Sequence, residues 1–199
     1  MPGHLNIPGD TLRQRHEKDH YDARYRQIAA QTPTFSPKQA ALAPLLRPEE
    51  RPYEPDWQFV QQIRGMNLQG KTVLELGCGT GQLTYLIAEM GAHVFAIDIS
   101  QEAINVARIR LHHYGREDAV SFEAMTVESL HYPDAMFDVV VGEYILHHVE
   151  VDLSAAQISR VLKPGGQAIF FEPKNGSRPC ALNVEVVIIV QHAQRRRGR

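Results

Sequence analysis

The chain has 199 residues, 43% apolar and 22% charged, with a formal net charge of −2. That apolar content supports a hydrophobic core and excludes disorder throughout, and two cysteines exclude a disulfide-stapled scaffold. The balanced charge offers no global field for nucleic acid or an anionic membrane. The longest uninterrupted aliphatic run, residues 186–190, is far short of the ~20 residues a membrane span needs. No apolar stretch follows the initial Met-Pro-Gly-His, so the expectation is a cytoplasmic protein without a membrane span.

Eight of the 12 prolines fall within residues 1–55. Proline removes a donor and restricts its neighbour, so residues 1–54 read as an arm or cap outside any sheet. One helix is expected there, over 12–30, carrying Tyr21, Tyr25 and Ile28. A second is expected to start at Pro55, a favourable first helical position, and to bury Trp57, Val60 and Ile63. No internal repeat is visible.

From Lys71 onward, Val- and Ile-rich runs alternate with helix-period segments. Residues 72–76 read as a buried strand. Leu83, Leu86, Ile87 and Met90 share one helical face, and Gly91 ends that helix. Strands are expected at 93–97, 120–125, 137–141 and 167–171. Ser100 is an N-cap for a helix burying Ile104, Ala107, Leu111 and Tyr114. Asp152 or Ser154 opens another helix, with Ile158, Val161 and Leu162 inward, and residues 163–166 read as a turn. The alternation implies an α/β, doubly wound parallel sheet with helices on both faces, its ligand crevice at the carboxyl ends of the strands. The domain proper spans 55–190. Val184 and the aliphatic residues after it form either a buried sixth strand or an exposed edge, and 191–199 is a basic tail.

The bend after the first strand reads Leu74-Glu75-Leu76-Gly77-Cys78-Gly79-Thr80-Gly81. Glycines at alternate positions let the chain turn sharply and let a ligand approach bare backbone. The helix that follows offers unsatisfied N–H groups to an anionic group. Asp98 closes the second strand, where an acid can accept both hydroxyls of a free ribose. The third glycine comes one residue earlier than in the dinucleotide fingerprint, which disfavours a nicotinamide dehydrogenase.

These residues, with Phe137-Asp138-Val139-Val140, Leu146-His147-His148 and Arg160-Val161-Leu162-Lys163-Pro164-Gly165-Gly166, resemble the motifs of class I S-adenosylmethionine-dependent methyltransferases of small molecules. The resemblance spans residues 57–173. It implies a Rossmann-like sheet of order 3-2-1-4-5, with later strands partly missing and an apparently shortened C-terminus. It implies that Glu75, Gly77, Cys78, Gly79 and Gly81 line the methionine part of the cofactor. Asp98 would hold the ribose and Ile99 the adenine. Thr126 and Val127 lie on the cofactor side after the third strand, with Met125-Thr126 in place of the family's frequent Gly-Asp. Glu143 would meet the cofactor's amino group, and Tyr144 would face the acceptor.

Methyl transfer is an in-line displacement at a carbon activated by a sulfonium, which calls for positioning rather than a metal. A general base is needed when the acceptor must lose a proton. His147 and His148 are the candidates, their alternative being to cap the turn. Tyr21 and Tyr25 either cover the cofactor or pack the arm. His112 and His113 are adjacent on a helix and cannot share a metal. The terminal arginines read as a solvated tail rather than a nucleic-acid contact. The expected activity is methylation of an unidentified small-molecule acceptor. The alternative is a non-catalytic, cofactor- or partner-binding domain of the same fold.

Overall fold

The computed structural model describes residues 11–31, 57–173 and 184–190. The expected helix start at Pro55, the burial of Trp57, Cys180, the tail at 191–199 and most of the proline-rich arm lie outside the described residues.

Five parallel strands run in the order β3-β2-β1-β4-β5: β1 Thr72–Leu76, β2 His93–Asp98, β3 Val120–Ala124, β4 Phe137–Glu143 and β5 Leu162–Pro173. A sixth, β6 Val184–Val190, pairs antiparallel with β5 at the end of the sheet. The helices are α1 Leu12–Gln31, α2 Trp57–Arg64, α3 Gln82–Glu89, α4 Gln101–His113 and α5 Val151–Val161. Glu117–Ala119 and Leu146–His148 are single 3₁₀ turns. The order expected for the first five strands holds. The run from Val184 forms a sixth strand, one of the two alternatives expected for it.

Successive strand residues face opposite sides, and this sorts the core into two layers. Val73, Val139, Val141, Ile169 and Phe171 join α2 and α3 on one face. Leu74, Leu76, Val140, Ala168 and Phe170 join Ile158 and Val161 of α5 on the other. With both faces covered, the central strands carry near-continuous apolar runs, and only their tips are free to hold a ligand.

Three local expectations are corrected. Residues 83–88 of α3 are all buried, so burial is wider than one face, and Tyr85 packs on Tyr114 with ring centroids 4.8 Å apart; Met90, the C-cap, packs against the same core as Leu83, Leu86 and Ile87. Helix α5 begins at Val151 after Glu150, which makes no side-chain cap, so neither Asp152 nor Ser154 opens it. Residues 163–166 belong to β5, where they loop out between the Phe137–Leu162 and Val139–Gln167 pairings. Ser100 does cap α4, its hydroxyl accepting from the Ala103 N–H at 3.1 Å.

Helix α1 is built differently. Thr11 and Gln14 form a reciprocal cap, Gln14 N to Thr11 Oγ1 at 3.2 Å and Thr11 N to Gln14 Oε1 at 2.7 Å. Its buried residues are the polar Gln14 and Asp22, so it is docked by polar contacts rather than by an apolar stripe.

Candidate active site

The bend after β1 and the end of β2 meet directly. Gly77, Gly79 and Gly81 have φ of 71°, 50° and 76°, a region costly for residues with a Cβ. Cys78 N donates to Ile97 O at 2.9 Å, tying the bend to β2. Asp98 takes the next amide: its Oδ2 accepts from Gly79 N at 2.9 Å, and its Oδ1 accepts from Ser100 N at 2.8 Å. One carboxylate thus aligns the glycine bend with the start of α4.

Beside this contact lies a cavity of about 770 Å³ bordered by the ends of β1, β2 and β4, the segment after β3, and α1. Glu75, Gly77, Cys78, Gly79 and Asp98 border it on the bend side. Ile99, Thr126 and Val127 border it toward β3, and Glu143, Tyr144, His147 and His148 toward β4. Gly81 does not line it. A Cβ at Gly81 would lie 2.9 Å from Ala107 Cβ and 3.1 Å from Leu111 Cδ2, so this glycine lets α3 approach α4.

Burial sets the charges of the bend side. The Asp98 carboxyl is pushed up to about 6 by burial, against the pull of the Ser100 and Gly79 amides. Glu75 is pushed up to about 8 by burial, with Glu143 and Asp98 nearby adding to the rise. Its Oε2 has no hydrogen-bond partner among the described residues. A buried acceptor left without a donor is costly and marks a place for a ligand's donor. The Cys78 thiol is buried and pushed up by that burial, so this residue offers its backbone rather than a nucleophile.

The β4 side is held by a contact the sequence reading missed. Glu172, near the end of β5, accepts through Oε1 from Ile145 N at 2.8 Å and Leu146 N at 2.7 Å, while its Oε2 lies 2.8 Å from His147 Nδ1. Tyr144, at φ 54°, enters this turn with its N–H on Phe171 O at 2.8 Å. His148 turns to α1, with Nε2 3.1 Å from the Tyr21 hydroxyl and Nδ1 3.5 Å from Glu17 Oε2. Burial and the neighbouring His147 lower the affinity of His148 for a proton.

Helix α1 covers the cavity and is clamped at several points. Arg13 pairs with Glu128 and donates to the His148 carbonyl. Asp22 accepts from the Ser100 hydroxyl at 2.6 Å and pairs with Lys18. Arg26 reaches Glu102 at 3.0 Å. The Tyr25 hydroxyl lies 3.1 Å from where a Gly79 Cβ would be. Tyr21 and Tyr25, stacked with centroids 6.1 Å apart, both line the cavity. The position of Glu172 near a strand tip is the kind of place a crevice residue occupies, a signal that could have found it. Arg13 and Glu128 pair only through the tertiary fold and carry no local signal, and Asp22 adds to its local Lys18 partner a distant one, Ser100.

Among the described residues, no group of three or more His, Cys, Asp or Glu could hold a metal ion, and no helix is long and apolar enough to cross a membrane. The residues present suit an adenosyl group with a charged amino-acid end. Asp98 has lone pairs left for ribose hydroxyls beyond its two amides. The partnerless Glu75 oxygen suits an ammonium or an ordered water.

Comparison with known proteins gives the same picture. Residues 74–170 match the Methyltransferase domain family. The Ubiquinone biosynthesis O-methyltransferase of Alkalilimnicola ehrlichii is 40% identical over 114 residues, 56% of this chain and 45% of that protein. The chain thus spans less than half the length of this curated relative. A solved S-adenosylmethionine-dependent methyltransferase from Mesorhizobium loti is 26% identical, with a TM-score of 0.53, covering 60% of this chain and 54% of the other. Geranyl diphosphate C-methyltransferase from Streptomyces coelicolor A3(2) shares the fold at 16% identity, with a TM-score of 0.63 over 83% of this chain and 66% of its own. In its sheet order, its glycine bend and these matches, the chain is similar to the class I S-adenosylmethionine-dependent methyltransferases.

Proposed function

We propose that this chain transfers a methyl group from S-adenosylmethionine to a hydroxyl group of a small molecule, leaving S-adenosylhomocysteine. The observation that carries this reading is the Gly79 amide on Asp98 beside the partnerless oxygen of Glu75. A relative named as an O-methyltransferase favours oxygen as the acceptor atom. Glu75, Gly77, Cys78 and Gly79 hold the methionine part, with Glu143 at its amino group. Asp98 accepts from the ribose, and Ile99, Thr126 and Val127 flank the adenine. Thr126 brings a hydroxyl but no charge to that side.

S-adenosylmethionine, when bound, supplies a methyl group on a positively charged sulfur, so the chain need provide neither a metal nor a covalent nucleophile. Its task is to align the acceptor, and alignment contributes roughly 7–11 kcal/mol in the best cases. Tyr144, His147 and His148 stand on the acceptor side. Residues 1–54 act as the cover, through α1, and a cytoplasmic setting belongs to the same reading.

Calorimetry with S-adenosylhomocysteine tests it. Stoichiometric binding is expected, with Asp98→Ala weakening it tenfold or more through loss of a charge-assisted hydrogen bond worth about 1.5–3 kcal/mol. No binding heat at millimolar ligand ends the proposal. Binding without transfer to any hydroxyl-bearing compound leaves the cofactor-binding domain in its place.

A further inference from the structure

We propose that Glu172 is a positioning residue that fixes His147 as the proton acceptor for the substrate hydroxyl, and that His148 serves the α1 cover instead. This rests on the methyltransferase reading above. The two adjacent histidines lie with ring centroids 4.0 Å apart, yet their partners differ in kind.

Glu172 is 8% exposed, and its carboxylate spans the turn after β4. One oxygen collects the Ile145 and Leu146 amides, and the other meets His147 Nδ1 at 2.8 Å. A carboxylate only accepts, so the ring proton sits on Nδ1 and Nε2 keeps its lone pair. The amides fix the carboxylate, and the carboxylate fixes the ring at the border of the cavity. A base must be held in one tautomer and one orientation to take a proton during reaction. His148 has both nitrogens turned to α1, toward Tyr21 and Glu17, so neither is left for a substrate.

The titratable groups around His147 are Glu172 on β5, His148 beside it, and Glu143 and Tyr144 at the end of β4. Across the cavity, α1 presents Glu17, Tyr21 and Arg13. In the transfer, a lone pair on the acceptor oxygen forms the new O–C bond. The C–S bond breaks with its electrons passing to sulfur, which becomes the neutral thioether of S-adenosylhomocysteine. The hydroxyl proton passes to His147 Nε2, giving an imidazolium stabilised by Glu172.

The test uses the full chain, S-adenosylmethionine and catechol as the hydroxyl probe, with S-adenosylhomocysteine calorimetry on every variant. The wild-type rate is expected to rise with pH and then level as the base becomes free. His147→Gln should remove that rise and lower kcat about a hundredfold or more, with S-adenosylhomocysteine affinity within about twofold. Glu172→Gln keeps an acceptor for the two amides but turns a donor toward Nδ1. It should move the ring proton to Nε2 in nitrogen-15 NMR of His147 and lower kcat with little change in the catechol KM. A merely structural Glu172 would lower stability and leave both the tautomer and the pH profile alone, which overturns the proposal. It is equally overturned if the pH limb survives His147→Gln, if it disappears with His148→Gln instead, or if a protein that binds S-adenosylhomocysteine never methylates catechol. Loss of S-adenosylhomocysteine binding by the wild type would instead remove the methyltransferase reading beneath it.

Discussion

The glycine bend and helix α1 border the same cavity but are held in place by opposite physics. The bend is fixed by backbone: three left-handed glycines, an amide on Asp98 and an amide on the β2 carbonyl, all anchored in strands buried on both faces. Helix α1 is fixed by side chains: Arg13 on Glu128, Asp22 on Ser100 and Arg26 on Glu102. Packed backbone is displaced only with the fold around it, whereas an exposed ion pair such as Arg26–Glu102 separates at low cost, and of the contacts holding α1 the buried Asp22–Ser100 bond is the firmest. A rigid cradle under a releasable cover is the arrangement a ligand needs in order to enter a buried site and remain there.

The sharpest way to break this contrast is at Gly81. Gly81→Ala places a methyl group 2.9 Å from Ala107 Cβ at a left-handed φ. It should cost about 2 kcal/mol or more of stability, read as a Tm lower by about 4–8 °C. An unchanged Tm would mean that the approach of α3 to α4 is not tight.

The next effect concerns protonation. Burial raises Asp98 to about 6, above the ~3.9 of an unfolded chain. The folded protein therefore binds the extra proton between these values, and the contribution of Asp98 to stability falls as pH rises through that window and is flat above it. Ligand binding runs the other way, because ribose hydroxyls need the ionised acceptor. S-adenosylhomocysteine affinity should fall up to tenfold per unit as pH drops below about 6, and Asp98→Asn should abolish this dependence. Glu75, raised to about 8, should lose a proton when the ligand's ammonium arrives. Calorimetry at pH 7 in buffers of different ionisation enthalpy should show proton release.

The cover gives smaller effects. Burial raises the Asp22 carboxyl, but the bonds from Lys18 and Ser100 outweigh it and hold the group below the usual carboxylate range. Asp22→Ala removes both and should speed S-adenosylhomocysteine dissociation several-fold in stopped flow, with a smaller loss of Tm than Gly81→Ala. Arg26→Ala breaks a largely exposed pair and should change the dissociation rate by less than about twofold. Equal effects of Asp22→Ala and Gly81→Ala on Tm would erase the distinction between cradle and cover.

Much of the cradle was legible because its causes are local. Alternating glycines announce a bend, an acid at a strand end announces a ribose, and Val-rich runs between helix-period segments announce a parallel sheet. Cavity residues such as Asp98, Thr126 and Tyr144 follow from their place at or just past strand ends. Other features were decided by tertiary packing. Gly81 belongs to the glycine pattern but its space is taken by Ala107, a helix away. The Lys163–Gly166 stretch has turn composition, yet β5 absorbs it as an irregularity because the pairing with β4 resumes at Gln167.

The sequence by itself determined the parallel alternation and the glycine bend, since these rest on periodicity and on backbone conformations that few residues tolerate, while the sheet order and the class of cofactor followed from the resemblance to a known family. Only the tertiary structure decided how α1 is clamped over the cavity, and that His147 answers to Glu172 while His148 answers to Tyr21 and Glu17. Those pairings join residues 25 to 131 positions apart. A hydrogen bond between distant charged or polar side chains leaves no periodic trace in either partner's segment.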